Sequence, residues 1–345
     1  MPLLSTIGAV SKLGFSPLGG GLFPFTTFQF TNAAGEGTTG PTLGQMQSAY
    51  SGAPWLTNFF SASLGQGHQQ LTIPKTGLYT IRAAGAQGGS GSWATYYGGK
   101  GAIIEATFPL IMGDILIMVV GQRGGSSSAN NSSGGGGGSF IAKNNKDTLL
   151  LVAGGGGGGG GNSAPGIGYN ALTIMSGGAN QSGNPGGTGG SGSTVSYNGG
   201  GGGGGYLSDG AVGVVSALNE GGKSFKNGLA LGGRGGSCAA SIAGSYNYNN
   251  LGNDQGGFGG GGGGEWCAMG AVGAGGGYSG GAGNNASSGQ GGGGGSFILN
   301  TANNLKTSDG NYNGVATGNA SLGYNGTTTL AERAQSNGYI IVTAL

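Results

Sequence analysis

Leu149-Leu150-Leu151-Val152-Ala153-Gly154-Gly155-Gly156-Gly157-Gly158-Gly159-Gly160-Gly161 decides how this chain is read: an unbroken apolar strand runs straight into eight glycines. Further glycine runs occupy 134–138, 199–205, 259–264 and 291–295. Glycine loses more backbone freedom on folding than any other residue and offers no side chain to bury. Eight in succession are therefore either left disordered or ordered by something other than side-chain packing. The ordered alternative is the polyproline-II type helix, with three residues per turn and outward-pointing backbone groups. Such helices lie side by side through N–H to C=O bonds and Cα–H···O contacts, at a distance only glycine permits.

Composition alone points toward disorder, because 93 glycines and 9 prolines in 345 residues resemble low-complexity sequence. Three features favour order. Charged residues make up only 6%, too few to keep a disordered tract well solvated. Tyr206, Phe225, Phe258, Trp266 and Tyr278 interrupt the glycine-rich half, which a flexible linker does not need. Strand signals also bracket the runs on both sides.

Working outward, 28–31 alternates apolar and polar residues as a short strand does. Thr42 stands before Leu43, Met46 and Tyr50, which predicts one capped short helix. Residues 71–86 read as strand, Pro-Lys-Thr-Gly turn, strand, with Leu78, Thr80 and Arg82 on one face and Tyr79, Ile81 and Ala83 on the other. Strands are expected at 102–108 and 115–120 around a tight turn at 112–114. A hairpin is expected over 139–153, with Asn144 and Asn145 in its loop. After the glycine-rich stretch, strands return at 296–299 and 338–343, and the last is expected to pair beside the first ones. The organisation expected is an apolar arm at 1–27, sandwich strands over 28–153, a polyglycine-II lattice over 154–295, and closing strands over 296–345.

The net charge is +2, and the twelve basic residues are scattered singly, so no basic stripe follows a phosphate backbone and nucleic-acid binding is not expected. The longest apolar run, 115–120, is too short to cross a bilayer, so no membrane insertion is expected. No positive region precedes the apolar N-terminal residues, which makes a secretory signal a poor match. Release by lysis within a virus particle is the route this implies, with a mature secreted protein as the alternative. The apolar arm 1–27 is poorly suited to water and is expected to lie on a partner, with a disordered terminus as the alternative.

No enzymatic chemistry is expected. His68 is the single histidine, in the polar loop Gly65-Gln66-Gly67-His68-Gln69-Gln70, and is read as a surface residue. Gly221-Gly222-Lys223-Ser224 resembles the end of a phosphate-binding loop, but Ala217 stands where the motif needs glycine and no helical pattern follows. Runs of glycine match G-x-G-x-x-G by accident, and no cofactor or metal is expected. Cys238 and Cys267 are either one disulfide or two small buried thiols; one histidine is too few for a zinc site. What remains is binding: the Ser/Asn/Gly/Tyr loop at 239–255 has the composition of an antibody paratope. Tyr246, Tyr248, Trp266 and Tyr278 are the candidate receptor contacts, the alternative being that the aromatics pack against glycine helices.

The order of motifs resembles a known family. Phe28-Gln29-Phe30-Thr31, Gly40-Pro41-Thr42, Gln45, Ala49-Tyr50, Ile73-Pro74, Gly77-Leu78-Tyr79 and Gly85-Ala86 resemble the opening of the glycine-rich extracellular domain of the anaplastic lymphoma kinase and leukocyte tyrosine kinase receptors. The series continues through 117–122, 134–140, 153–161, 257–264 with Cys267 close behind, and Gly275-Gly276-Gly277-Tyr278. The resemblance implies an all-β, tumour necrosis factor-like jelly-roll sandwich carrying a bundle of polyglycine-II helices. It also implies that Cys238 and Cys267 are bonded. The chain lacks those receptors' other cysteines, membrane helix and kinase, so their cytokine binding does not carry over. The chain is also similar in this design to the tail-fibre adhesins of T-even-like bacteriophages, which use glycine-helix sandwiches with host-contacting loops at the lattice tips. The first 17 residues look like the start of tailed-phage virion proteins. The expected function is thus a virion fibre or decoration protein, possible as a homotrimer, held to other virion proteins by 1–27 and meeting a host glycan or outer-membrane protein. A bacterial secreted or cell-surface structural or adhesive glycine-rich protein, polymeric or not, is the alternative.

Overall fold

The computed structural model describes residues 25–53, 64–91, 97–126, 132–160, 166–194, 199–213, 220–233, 236–237, 254–266, 271–284, 289–307 and 336–345, with the backbone alone at 236–237 and 265–266. The architecture is an all-β sandwich. One antiparallel sheet holds β1 (Thr27–Phe30), β12 (Tyr339–Ala344), β3 (Gly77–Ala84), β4 (Ile103–Leu110) and β11 (Asn303–Thr307), in that order. The other holds β10 (Phe297–Ile298), β7 (Leu149–Ala153), β6 (Ser139–Lys143), β5 (Ile115–Val119) and β2 (Gln69–Thr72). The one helix among the described residues, α1 (Leu43–Ala49), starts at Thr42, whose side chain accepts from the Gln45 amide while Gln45 reaches back to the Thr42 amide. As expected, the last strand closes the sheet between early ones, Ile340 pairing with Phe30 on one side and Ala83 on the other.

The core between the sheets follows the period of two along each strand. Phe30, Tyr79, Ile81, Ala83, Ile104, Ala106, Phe108, Ile340 and Val342 face Leu71, Leu116, Met118, Ile141 and Leu151. A bulge at Leu150, where the register slips between Ile141 and Ala142, lets both Leu150 and Leu151 enter this core. The turn expected at 74–77 does not make a hairpin: it carries the chain from β2 in one sheet to β3 in the other. The turn at 111–114 makes the same crossing from β4 to β5. Strand β11 has no counterpart in the sequence expectations. It is an edge strand whose one apolar residue, Leu305, packs against the core, and Lys306 Nζ meets Glu105 Oε1 of β4 at 2.8 Å.

Strands lead directly into glycine threads, all at one end of the sandwich. β3 runs on into Gly85, β7 into Gly154, and Gly138, Gly295 and Gly338 immediately precede β6, Phe297's neighbour Ser296 and β12. Residues 154–160 form the thread with the fullest surroundings. The amides of Gly155 and Gly158 donate to the carbonyls of Gly276 and Gly273, and those of Gly156 and Gly159 to Ala86 and Gly89. The carbonyls of Gly154 and Gly157 accept from Ala102 and Gly99, and those of Gly155 and Gly158 from Gly294 and Gly291. Gly136 bonds the carbonyl of Gly156, Ser133 Oγ that of Gly159, and the Gly157 amide reaches Tyr169. These bonds span 2.7–3.1 Å. Each neighbour is met again three residues later, the repeat of a polyproline-II thread, and no glycine of 154–160 has a positive φ. Threads at 85–89, 97–102, 121–125 and 132–138 join the same network, so strands and threads alternate from β3 onward.

Only glycine fits here. A Cβ built on Gly156, Gly157 or Gly275 meets carbonyl oxygens of the adjacent thread inside 3.0 Å, and backbone cannot swing aside as a side chain can. The lattice is therefore held by the same backbone bonds that make a sheet, but thread 154–160 makes them to six surrounding segments where a strand in a sheet has two neighbours.

Candidate functional site

The outer face of the β10–β2 sheet is apolar, and the glycine-rich part of the chain covers it. Ile117, Val119, Phe140, Ala142, Leu149 and Val152 point outward into a second core completed by Tyr206, Phe225, Ala230 and Phe258. The uninterrupted apolar runs of β5 and β7 have this cause: both of their faces are buried. The aromatic rings form a row. Phe225 stacks on Phe140 with centroids 4.9 Å apart and planes 1° from parallel. Tyr206 stands 6.4 Å from Phe225 and 6.1 Å from Tyr278, which stacks on Phe297 at 4.7 Å.

The β6–β7 loop clamps this row. The Tyr206 hydroxyl donates to the carbonyls of Lys146 at 2.8 Å and Asp147 at 3.2 Å. Lys226 Nζ pairs with Asp147 at 2.6 Å and lies 5.9 Å from the Tyr206 ring centre. Lys146 Nζ sits 5.2 Å from the Phe225 ring centre, a cation–π contact, and its own burial pulls its pKa down. Burial raises the pKa of both Tyr206 and Tyr278, so their hydroxyls stay neutral.

His68 corrects a sequence expectation. It is 1% exposed, not a surface residue, and its ring lies 6.1 Å from Phe225 and 6.4 Å from Phe258. Those two rings come from more than 150 positions along the chain, so the polar loop around His68 gives no sign of them. Neither ring nitrogen has a hydrogen-bond partner. Burial, with the charge of Lys146 adding to it, lowers the His68 pKa to about 4, so the ring is neutral at physiological pH. The lattice holds a second buried ionisable group: burial pushes Asp254 above the ordinary carboxylate range, although Ser132 Oγ donates to it at 2.6 Å.

The phosphate-loop look-alike is part of the lattice. Gly222 donates to Gly202, Lys223 Nζ lies 3.4 Å from Asp209, and the Ser224 amide donates to the same carboxylate at 2.8 Å. A carboxylate of the chain itself thus meets the groups that a phosphate would need. Among the described residues no three of His, Cys, Asp and Glu gather as a metal site, and no helix is long and apolar enough to cross a membrane.

Of the candidate receptor contacts, Tyr278 is half-buried in the aromatic row. Tyr246 and Tyr248 lie outside the described residues, as do Cys238 and Cys267. Trp266 belongs by its backbone to β9 (Glu265–Trp266), which pairs in parallel with β8 (Gly236–Ser237), Ser237 opposite Trp266. The described lattice does expose one aromatic flank that the sequence reading passed over. Tyr97, Ile167 and Tyr169 are exposed on adjacent threads, where the Gly168 amide donates to the Tyr97 carbonyl at 2.8 Å. The alternation Gly166-Ile167-Gly168-Tyr169 is its sequence signal: a thread at the lattice edge needs glycine only toward its neighbours.

No protein-family model matches the chain. The mouse (Mus musculus) leukocyte tyrosine kinase receptor is 34% identical to it over 95 residues, 28% of this chain. The chain spans 11% of that receptor's length. Part of the chain is therefore similar to the receptor, a likeness that extends at most to a shared glycine-rich region.

Proposed function

We propose that the protein is a non-enzymatic display scaffold of a bacteriophage virion, a fibre or decoration protein in which a jelly-roll sandwich carries rigid receptor-binding segments. The observation that carries the reading is the continuity of strands and threads. The threads at 85–89, 121–125, 132–138 and 154–160 continue or precede sandwich strands, and the remaining threads are bonded onto them backbone to backbone. Segments joining such threads are fixed at both ends, which lowers the entropy lost when they meet a ligand. The segment at 239–255, with Tyr246 and Tyr248, is the leading contact with a host glycan or outer-membrane protein. The parallel pairing of β8 with β9, one residue short of both cysteines, supports a Cys238–Cys267 bond. The placement on a virion rests on the likeness of residues 1–17 to tailed-phage proteins, with 1–27 as the attachment to other virion proteins.

Immunogold labelling of intact particles and host cells, with purified full-length protein as a competitor of phage adsorption, tests this reading. Label on particles with blocked adsorption is the expected result. Label confined to the cell envelope would end the virion placement. Label on particles without competition would leave a structural protein with no receptor.

A further inference from the structure

The end of the sandwich opposite the lattice exposes a row of apolar side chains. Leu78 pairs with Pro109 across β3 and β4, and the Leu345 amide donates to the Leu78 carbonyl at 3.0 Å. Ile111 and Met112 follow in the next loop, tied to the neighbouring turn by the Met112 amide donating to Thr76 Oγ1 at 3.0 Å. Leu345 is 72% exposed, Ile111 61%, Met112 59% and Leu78 47%, and Pro109 is exposed beside them. Polar residues border the row on that sheet face, and the half-buried Ile341 and Tyr339 lie farther along β12. Thr80 and Thr107 share a 3.0 Å hydrogen bond, and Arg82, Glu105 and Lys306 form an ion-pair cluster. A contiguous row of exposed apolar side chains rimmed by threonines and an ion-pair cluster marks an interaction surface.

The chain brings a cover to this place. β1 enters antiparallel to β12, with Thr27 opposite Thr343 and the Ala344 amide donating to the Thr26 carbonyl at 2.9 Å. Residues 1–24 therefore begin at the border of the row, beside Leu345. They include Leu3, Leu4, Ile7, Val10, Leu13, Phe15, Leu18, Leu22 and Phe23, and their one charge is Lys12. Twenty-four residues reach roughly 80 Å when extended, while the row crosses three strands about 4.8 Å apart. Length is no obstacle, and the tether at residue 25 holds the segment at a local concentration on the order of millimolar. A second copy has no such advantage.

We propose that residues 1–24 dock through their apolar side chains onto Leu78, Pro109, Ile111, Met112 and Leu345 of their own sandwich. The inference stands whether or not the protein is part of a virion. It assigns the segment a seat in the free protein, which any larger assembly would have to compete for.

Lys12 supplies the test, because it is the only lysine or arginine before Lys75. Trypsin cleavage after Lys12 is timed in the full chain and in a synthetic peptide of residues 1–24. Docking predicts cleavage slower by about 10-fold or more in the full chain, as for any site that must first open locally. In the full-length Ile111→Glu/Met112→Glu variant the rate rises toward that of the peptide, with an unchanged melting temperature. An Ile167→Glu variant, altered at an exposed apolar position on the lattice instead, keeps the slow rate. Equal rates in chain and peptide, or a double variant as slow as the parent, overturn the proposal. Protection that grows with protein concentration also overturns it, because the seat is then filled by another copy.

Discussion

Replacing Gly157 by alanine puts a methyl group against the carbonyl of Gly291 and within 2.9 Å of the Gly292 carbonyl oxygen. Nothing flexible stands in the way, so a thread must move. Moving Gly291 breaks its amide bond to Gly158 and the bond its carbonyl receives from Tyr169. Two buried backbone bonds left unsatisfied cost about 2–6 kcal/mol. Alanine's stiffer unfolded chain offsets about 0.4–1 kcal/mol of that. The net loss is about 1–5.5 kcal/mol. The contrasting site is Gly44 in α1, where an added Cβ meets nothing within 4 Å. There the same substitution improves helix propensity and stabilises by up to about 1 kcal/mol. Urea unfolding of the two variants, read as midpoint at constant slope, gives opposite signs on this account. A Gly157→Ala midpoint at or above the parent's would refute the reasoning, because it would mean the threads are not closely set.

Further consequences involve the second core and the charges. His68 has a folded pKa of about 4 against an ordinary 6.5, so the unfolded chain binds the proton more readily between those values. Its contribution is fully present above pH 6.5 and declines as pH falls toward 4, by about 3 kcal/mol in all. His68→Phe should flatten the pH dependence of the unfolding midpoint in that window, and an unchanged slope would contradict the burial. Phe225→Ala opens a cavity between Phe140 and His68 and should destabilise by about 3–5 kcal/mol; a thermal shift equivalent to less than about 1 kcal/mol would show that the aromatic row is not packed. Burial opposes ionisation of Glu105, but the hydrogen bonds and charges of Lys306 and Arg82 outweigh it and hold its pKa low. Glu105→Gln should destabilise by about 1 kcal/mol, since both cations are partly solvent-screened, and should hasten amide exchange in β11 before the other strands. Equal exchange in β11 of parent and variant would count against that role.

Much of the sandwich was legible in the residues because its signals are local. The 139–153 hairpin announced itself through Asn144, which adopts a φ of 63°, a conformation asparagine tolerates better than most. The helix was legible in Thr42, Leu43, Met46 and Tyr50. The partition of strands between sheets was not, because 74–77 and 111–114 look the same whether they fold a hairpin or bridge two sheets. β11 escaped because Leu305 is its one apolar residue, too few for an alternating pattern; Leu305 against the core and cross-strand charge on Glu105 hold it. The glycine runs showed that close backbone packing was required, but glycines carry no side chains to say which threads adjoin. The candidate site divided in the same way. Tyr278 and Tyr206 were visible as aromatics, whereas their packing on Phe297 and Phe225 depends on contacts far apart in sequence.

The central claim is that backbone bonds among adjacent glycine threads do the work of a side-chain core. Amide hydrogen exchange of 154–160 in the native protein measures it directly. The account predicts protection comparable to that of the β3 and β4 amides, exchanging only with global opening. Exchange at the rate of an unstructured glycine peptide would contradict it.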